Sequence, residues 1–175
     1  MRVVAGELRG RKLVAPAGAT TRPTTDKVRQ AVFNSLESMG VVADAEVLDL
    51  FAGSGAMGVE ALSRGAAHCT FVERDRAAVA ALRANIASLG LVDRTTVVVA
   101  DAWSWPGIGR AFDLVIIDPP YEFTAWEDLL GRIEAPYVVC EAAREVPAPV
   151  GRLTMRVRSY GRTTVTLLTS VDDEE

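Results

Sequence analysis

Between Glu46 and Ala142, short apolar, β-branched runs alternate with stretches of helical periodicity, and this alternation constrains the chain more than any other feature. The strand candidates are "EVLDLF", "CTFVE", "TTVVVA", "FDLVIID" and "YVVCEA". Helices are expected over 56–64, over 76–89 and near "TAWEDLLGRI", with a short irregular piece around "WSWPGIG". Parallel strands need crossover segments, and strands apolar on both sides need cover on both faces. The expectation is an α/β chain with a doubly wound, mostly parallel sheet. The rhythm breaks at the end. "GRLTMRVRSYGRTTVTLLTS" reads as two strands around a tight turn at Ser159 to Gly161, an antiparallel hairpin on the sheet edge.

The front of the chain follows other rules. "MRVVAGELRGRKLVAPAG" alternates short apolar runs with Arg and Gly and reads as a basic hairpin or extended arm. In "RPTTDKVRQAVFNSLESMG", Thr24 or Thr25 can cap a helix whose stripe is Val28, Val32, Leu36 and Met39 and whose stop is Gly40. We divide the chain into residues 1–40, a basic arm and helix laid on a larger body, and residues 41–175, the sheet-bearing domain. With 175 residues, 49% of them hydrophobic, one well-buried core is the expectation.

"DLFAGSGAMGVE", Asp49 to Glu60, carries Gly53, Gly55 and Gly58 in G-x-G-x-x-G spacing at the first strand-to-helix turn. In a doubly wound sheet that turn lies beyond the carboxyl ends of the strands, where ligands bind. Gly53 and Gly55 let the backbone approach a ligand, and the next helix aims its N-terminus there. Glu73, ending the second strand, can accept both hydroxyls of a ribose. The loop lacks the G-K-[ST] of a nucleoside triphosphate site. Asp49 puts an anion four residues before the first glycine, which opposes a pyrophosphate and suits a cation such as the amino group of a methionine moiety.

"DPPY", Asp118 to Tyr121, closes the fourth strand at the same edge. Two prolines stiffen the loop and leave carbonyls free to accept. Asp118 and the Pro119 carbonyl can take both hydrogens of an exocyclic base amine, while Tyr121 offers a ring for stacking. The combination suits methyl transfer to a base amine.

These residues carry a resemblance. "DLFAGSGAMGVEALSRGA" with "DPPY" resembles class I S-adenosylmethionine-dependent methyltransferases acting on exocyclic amines. "RVVAGELRGRKLVAP", "RPTTDKVRQAVFNSL" and "SYGRTTV" are similar to the bacterial 16S ribosomal RNA guanine-N2 methyltransferase family over nearly the whole chain. The resemblance implies a seven-stranded, Rossmann-like sheet, S-adenosylmethionine as cofactor, and transfer to N2 of one guanine of the guanine(966) type in the small subunit or an assembly intermediate. Its implied catalytic set is Asp118, Pro119, Pro120 and Tyr121, where the family often carries Phe at the last position. The cofactor set is Asp49, Phe51, Gly53, Ser54, Gly55, Glu73, Arg74, Asp101 and Ala102, with Asp101 toward the adenine amine.

The net charge is −4, yet the basic residues crowd the two ends. Arg2, Arg9, Arg11, Lys12 and Arg22 are candidates for RNA phosphates; Arg22 and Thr24 can instead line the active site, as the resemblance implies. Arg152, Arg156, Arg158 and Arg162 form a second group with no acid among them. Trp103, Trp105 and Trp126 are expected in packing. Cys69 and Cys140 read as buried thiols, and with His68 the sole histidine no metal is expected. No apolar run reaches membrane length, so a cytoplasmic protein is expected, and a monomer suits a bulky substrate. The alternatives are an N6-adenine methyltransferase on DNA or RNA, where Asn more commonly opens the loop; a protein glutamine methyltransferase; an NAD-dependent oxidoreductase, opposed by Asp49 and "DPPY"; and a noncatalytic RNA-binding assembly protein.

Overall fold

The computed structural model describes residues 1–17 and 25–171. Seven strands, β1 (Glu46–Leu50), β2 (His68–Glu73), β3 (Thr95–Val99), β4 (Leu114–Ile117), β5 (Tyr137–Ala142), β6 (Arg152–Tyr160) and β7 (Thr163–Ser170), form one sheet in the order β3-β2-β1-β4-β5-β7-β6. The first five run parallel, and β7 enters antiparallel between β5 and β6. The helices are α1 (Asp26–Ser38), α2 (Ala56–Ser63), α3 (Arg76–Leu89) and a five-residue α4 (Trp126–Leu130).

Local chemistry sets these limits. Thr25 caps α1 by accepting the Val28 N–H, and Asp75 caps α3 by accepting the Ala78 N–H at 2.8 Å. Gly90 ends α3 in the left-handed region at φ 70°. The sheet hairpin turns one step later than the sequence suggests. Ser159 and Tyr160 still pair with Thr164 and Thr163, so the two-residue turn is Gly161-Arg162, with Gly161 at φ 65°. A positive φ in the first turn position is what a two-residue hairpin demands. The N-terminal segment is a hairpin, joined by an antiparallel Arg2–Lys12 bridge.

Alternate strand residues feed two cores. Val47, Phe71, Leu114, Ile116 and Leu167 face α1, α2, α3 and the N-terminal hairpin. Leu48, Leu50, Val72, Val115, Ile117 and Cys140 face α4 and the loops that flank it. Long helices cover the first face over its parallel strands; the second has a thinner layer of short elements. Strand order reverses between β1 and β4, and the loops that follow these neighbours part at that point.

On the helical face, Glu60 of α2 is wholly buried. Its Oε1 accepts from Ala5 N–H and Arg64 Nε, and its Oε2 from Val4 N–H and Arg29 Nε. Arg29 also donates to the Arg2 carbonyl, and Arg64 reaches Glu37 at 2.6 Å. This network ties the hairpin to α1 and α2. No helix of the described residues is long and apolar enough to cross a membrane.

Candidate active site at the carboxyl edge of the sheet

The carboxyl ends of β3, β2, β1 and β4 lie side by side, and each delivers a carboxylate to one edge. Asp49, the fourth residue of β1, is only 2% exposed and turns toward α2, where its Oδ2 accepts the Gly58 N–H at 2.9 Å. Among the described residues it has no ion-pair partner at salt-bridge distance. Burial pushes its pKa well above the usual carboxylate range; the Gly58 N–H pulls it back, and the charges of Asp118 and Glu73 raise it again.

The loop after β1 is held from both sides. Phe51 stands at φ 60°, in the left-handed region, and Gly53 at φ 56°. A Cβ on Gly53 would meet nothing within 4 Å, so its conformation alone calls for glycine. Gly58 answers to packing, and Gly55 both to packing and to its own left-handed φ of 81°. A Cβ on Gly55 would lie 2.4 Å from Leu82 Cδ1, and one on Gly58 2.3 Å from Phe71 Cε1. Their missing side chains let α2 sit close to β2 and α3. Ser54 is buried, and its carbonyl accepts from Asn85 Nδ2 at 2.9 Å. Asn85 is wholly buried and also exchanges two hydrogen bonds with Val14, so it couples the loop to the N-terminal segment. A lone Asn on the apolar stripe of α3, beside Leu82, Ile86 and Leu89, was the available signal.

Glu73 closes β2 with its Oε2 on the Gly53 N–H at 2.8 Å and its Oε1 on the Arg74 and Asp75 N–H groups. A carboxylate oxygen has two lone-pair directions, so Oε2 keeps capacity for a further donor. Asp101, just past β3, accepts the Trp103 N–H at Oδ1 and pairs at Oδ2 with exposed Arg74, 2.5 Å away. Its second oxygen therefore serves Arg74 in this structure. Ala102 is buried in the second core.

Asp118 follows β4 directly, and the register Leu50↔Ile117 sets it beside Phe51. Pro119 is buried, while Pro120 and Tyr121 are exposed, Tyr121 by 56%. The Tyr121 hydroxyl lies 3.4 Å from Thr163 Oγ1 at the start of β7. Sequence reading missed the aromatic cluster behind this loop. Phe123 packs edge-on against Phe51 at 5.7 Å, Trp126 at 5.1 Å and Trp103 at 6.2 Å. Arg132 stacks over Trp103 and donates to its carbonyl.

The expected RNA contacts divide. Arg22 and Thr24 lie outside the described residues. Arg2 donates to the Gly10 carbonyl, and Arg11 to the Ser88 carbonyl at the C-terminal end of α3, one turn beyond Asn85. Arg9 and Lys12 are exposed on the same hairpin. All four lie on the N-terminal hairpin, whose following segment is tied through Val14 and Asn85 to the glycine loop. Cys69 and Cys140 are buried, with pKa values pushed up by burial. Among the described residues no group of three or more His, Cys, Asp or Glu is placed to hold a metal ion.

The edge fits S-adenosylmethionine in donor chemistry. Asp49, Glu73 and Asp118 give a cluster of acceptors with an anionic excess, and among the described residues Asp49 has no cation of its own. A ligand bearing an ammonium, a sulfonium and a ribose diol supplies the cation and donors that this edge lacks.

A family model described as "Conserved hypothetical protein 95" matches residues 1–169. The ribosomal RNA small subunit methyltransferase D of Escherichia coli is 42% identical over 135 residues, 77% of this chain and 67% of its own length. A Bacillus subtilis protein with a provisional rRNA methyltransferase name, YlbH, is 41% identical over 95% of this chain and 97% of its own. The solved structure of Escherichia coli yhhF, provisionally named a methyltransferase, superposes with TM-score 0.84 at 35% identity and covers 97% of both chains.

Proposed function

The chain belongs to the conserved hypothetical protein 95 family, that of the ribosomal RNA small subunit methyltransferases D, and on that premise we propose that it methylates the exocyclic N2 of one guanine in 16S ribosomal RNA. The activity is rRNA methyl transfer, and S-adenosylmethionine is the cofactor. The observation that carries the reading is the juxtaposition at the strand-order reversal: the buried Asp49, without an ion-pair partner among the described residues, beside the Asp118–Tyr121 loop on the neighbouring strand. Bound at this edge, S-adenosylmethionine supplies an electrophilic methyl group. Asp49 and the Gly53 to Gly55 backbone hold the methionine portion, and Glu73 holds the ribose.

The guanine N2 lone pair is conjugated with the ring and weakly nucleophilic. Asp118 and the Pro119 carbonyl accept its two hydrogens, which favours a pyramidal nitrogen with its lone pair directed outward. Tyr121, more than half exposed, stacks on the extruded base. Asp118 need not take a proton before attack: the N–C bond forms as the carbon–sulfur bond of the sulfonium breaks, and the alkylated amine, now acidic, then releases its surplus proton to Asp118 or to water. Positioning and electrostatics then carry the rate, terms that reach roughly 7–11 kcal/mol for well-oriented reactants.

The test is transfer of labelled methyl to small subunits lacking the modification, to protein-free 16S RNA and to DNA, followed by nucleoside analysis. Label in N2-methylguanosine is the expected result, and the preferred acceptor identifies the assembly stage. Label in N6-methyladenine instead overturns the choice of base.

A further inference from the structure

We propose that the groove between α1 and β6 is a track for RNA backbone phosphates leading away from the Asp118–Tyr121 loop; this rests on the RNA reading above. Register makes the groove basic. Arg156 pairs with Leu167 and Arg158 with Val165, and paired residues of antiparallel strands share a face. Leu167 and Val165 belong to the core under α1, so both arginines stand on the α1 side, with Tyr160 packed against the same core. Ala31, Ser35 and Leu36 of α1 form the opposite wall.

Among the described residues neither Arg156 nor Arg158 has an ion-pair partner. Arg156 donates to Ser35 Oγ at 2.9 Å and Arg158 to the Val157 carbonyl at 3.3 Å, both neutral partners. The acids of α1 are engaged elsewhere, Asp26 with Arg29 and Glu37 with Arg64. Glu141, which shares this face one strand further in, is buried and 8% exposed. Lys27 on α1 and Arg162 in the hairpin turn are exposed at the groove's upper end. Arg152, by contrast, is a staple, bound to the Ile133 and Ala135 carbonyls. Of the C-terminal arginines, only those nearest the candidate site hold their charge available.

Geometry connects the groove to chemistry. The turn Gly161-Arg162 lies at the carboxyl edge, where Thr163 meets the Tyr121 hydroxyl. Arg156 and Arg158 recur at strand spacing, about 6.6–6.8 Å, which lets successive guanidinium groups grip successive phosphates of an extended strand, each in bidentate fashion. A base extruded onto Tyr121 then has its flanking backbone beside Arg162, Arg158 and Arg156 in turn.

The full chain and its Arg156→Gln/Arg158→Gln variant are compared for methyl transfer to small-subunit RNA and intact small subunits over a salt series. Filter retention of the RNA and calorimetric S-adenosylmethionine affinity are measured alongside. Loss of two phosphate contacts predicts a slope of log Kd against log salt smaller by about 1.4–1.8, with KM and Kd for RNA raised roughly tenfold. The kcat and cofactor affinity stay within about twofold, as does every property of Arg83→Gln on exposed α3. Unchanged KM, Kd and slope overturn the groove while methylation by the parent leaves the enzymatic reading intact. If the parent methylates no RNA, that reading falls, and the filter-binding slopes still decide the groove. Weakened binding to intact subunits with unchanged binding to protein-free RNA also overturns it, in favour of a ribosomal protein. Should the variant misfold, 4-thiouridine crosslinking of the parent decides: crosslinks within residues 152–162 support the track, and their confinement elsewhere overturns it.

Discussion

Glu60 and Asp49 are both buried carboxylates at α2, and the surroundings of the two could hardly differ more. Glu60 receives two guanidinium N–H groups and two backbone N–H groups, so every lone-pair direction is used. Asp49 receives one backbone N–H and faces two further carboxylates. The first is a closed account of charge that fixes the hairpin, α1 and α2 as one body. The second is open, and a ligand completes it. Desolvating a carboxylate is costly wherever it happens; what distinguishes structure from site is whether the protein itself provides the counter-charge.

That contrast predicts which substitutions harm turnover and which harm the fold. Asp118→Ala has the largest expected effect, a fall in kcat of ~10³-fold or more with S-adenosylmethionine affinity and melting temperature near the parent's. Activity kept within tenfold would remove Asp118 from the reaction. Glu60→Ala strands Arg29 and Arg64 without their shared partner, where Arg29 Nη1 and Arg64 Nη2 are already unsatisfied. Breaking a buried pair costs about 3–5 kcal/mol, roughly 10 °C in melting temperature for a chain of this size, so thermal unfolding is the measurement. A shift under about 2 °C would mean that the network does not hold the face together.

Asp49→Asn is expected to act in opposite directions on the two properties. The Asn oxygen can still accept the Gly58 N–H, so the ligand-free protein gains stability of a few degrees near neutral pH, while S-adenosylmethionine binds at least tenfold more weakly. The pH dependence has a definite sign. With its folded pKa raised, Asp49 penalises the folded state little below the ordinary carboxylate range. As pH climbs, the unfolded chain releases the proton first and the folded state loses stability until its own raised value is passed. Melting curves of the ligand-free protein should show this decline and the Asn variant should lack it; equal slopes would put the charge of Asp49 elsewhere. The smallest effect belongs to Phe123→Leu, which removes edge-on contacts to Phe51, Trp103 and Trp126 at about 0.5–1.5 kcal/mol per aromatic pair. It should raise the KM for S-adenosylmethionine modestly, and no change in kinetics would make the cluster packing alone.

The sequence made the sheet legible because β4 and β5 are apolar runs between helical repeats, and α3 has both ends marked, by Asp75 and Gly90. The carboxyl edge was legible because strand ends are where the alternation stops, so Asp49, Glu73, Asp101 and Asp118 could be placed together without coordinates. Other features depend on contacts between distant segments. Leu82 leaves no room for a Cβ on Gly55, and Glu60 is inside because Arg29 and Arg64 meet it. Nothing within a few residues of Phe123 identifies Trp103 as its neighbour. The N-terminal basic residues show the same limit: composition revealed the charge, but only the fold shows Arg11 bonding to Ser88 at the C-terminal end of α3.

β6 has β7 as its single neighbour and so offers an unpaired row of backbone groups to solvent. Such an edge is a template for a strand of another molecule. Here the register slips between Thr154 and Arg156, and Arg156 and Arg158 follow; an irregular strand edged with guanidinium groups is a poor template, because a second copy would bring like charges opposite one another. The arginines assigned to phosphate thus also guard colloidal solubility, and exchanging them for uncharged residues removes a barrier to aggregation that persists whether or not RNA is present.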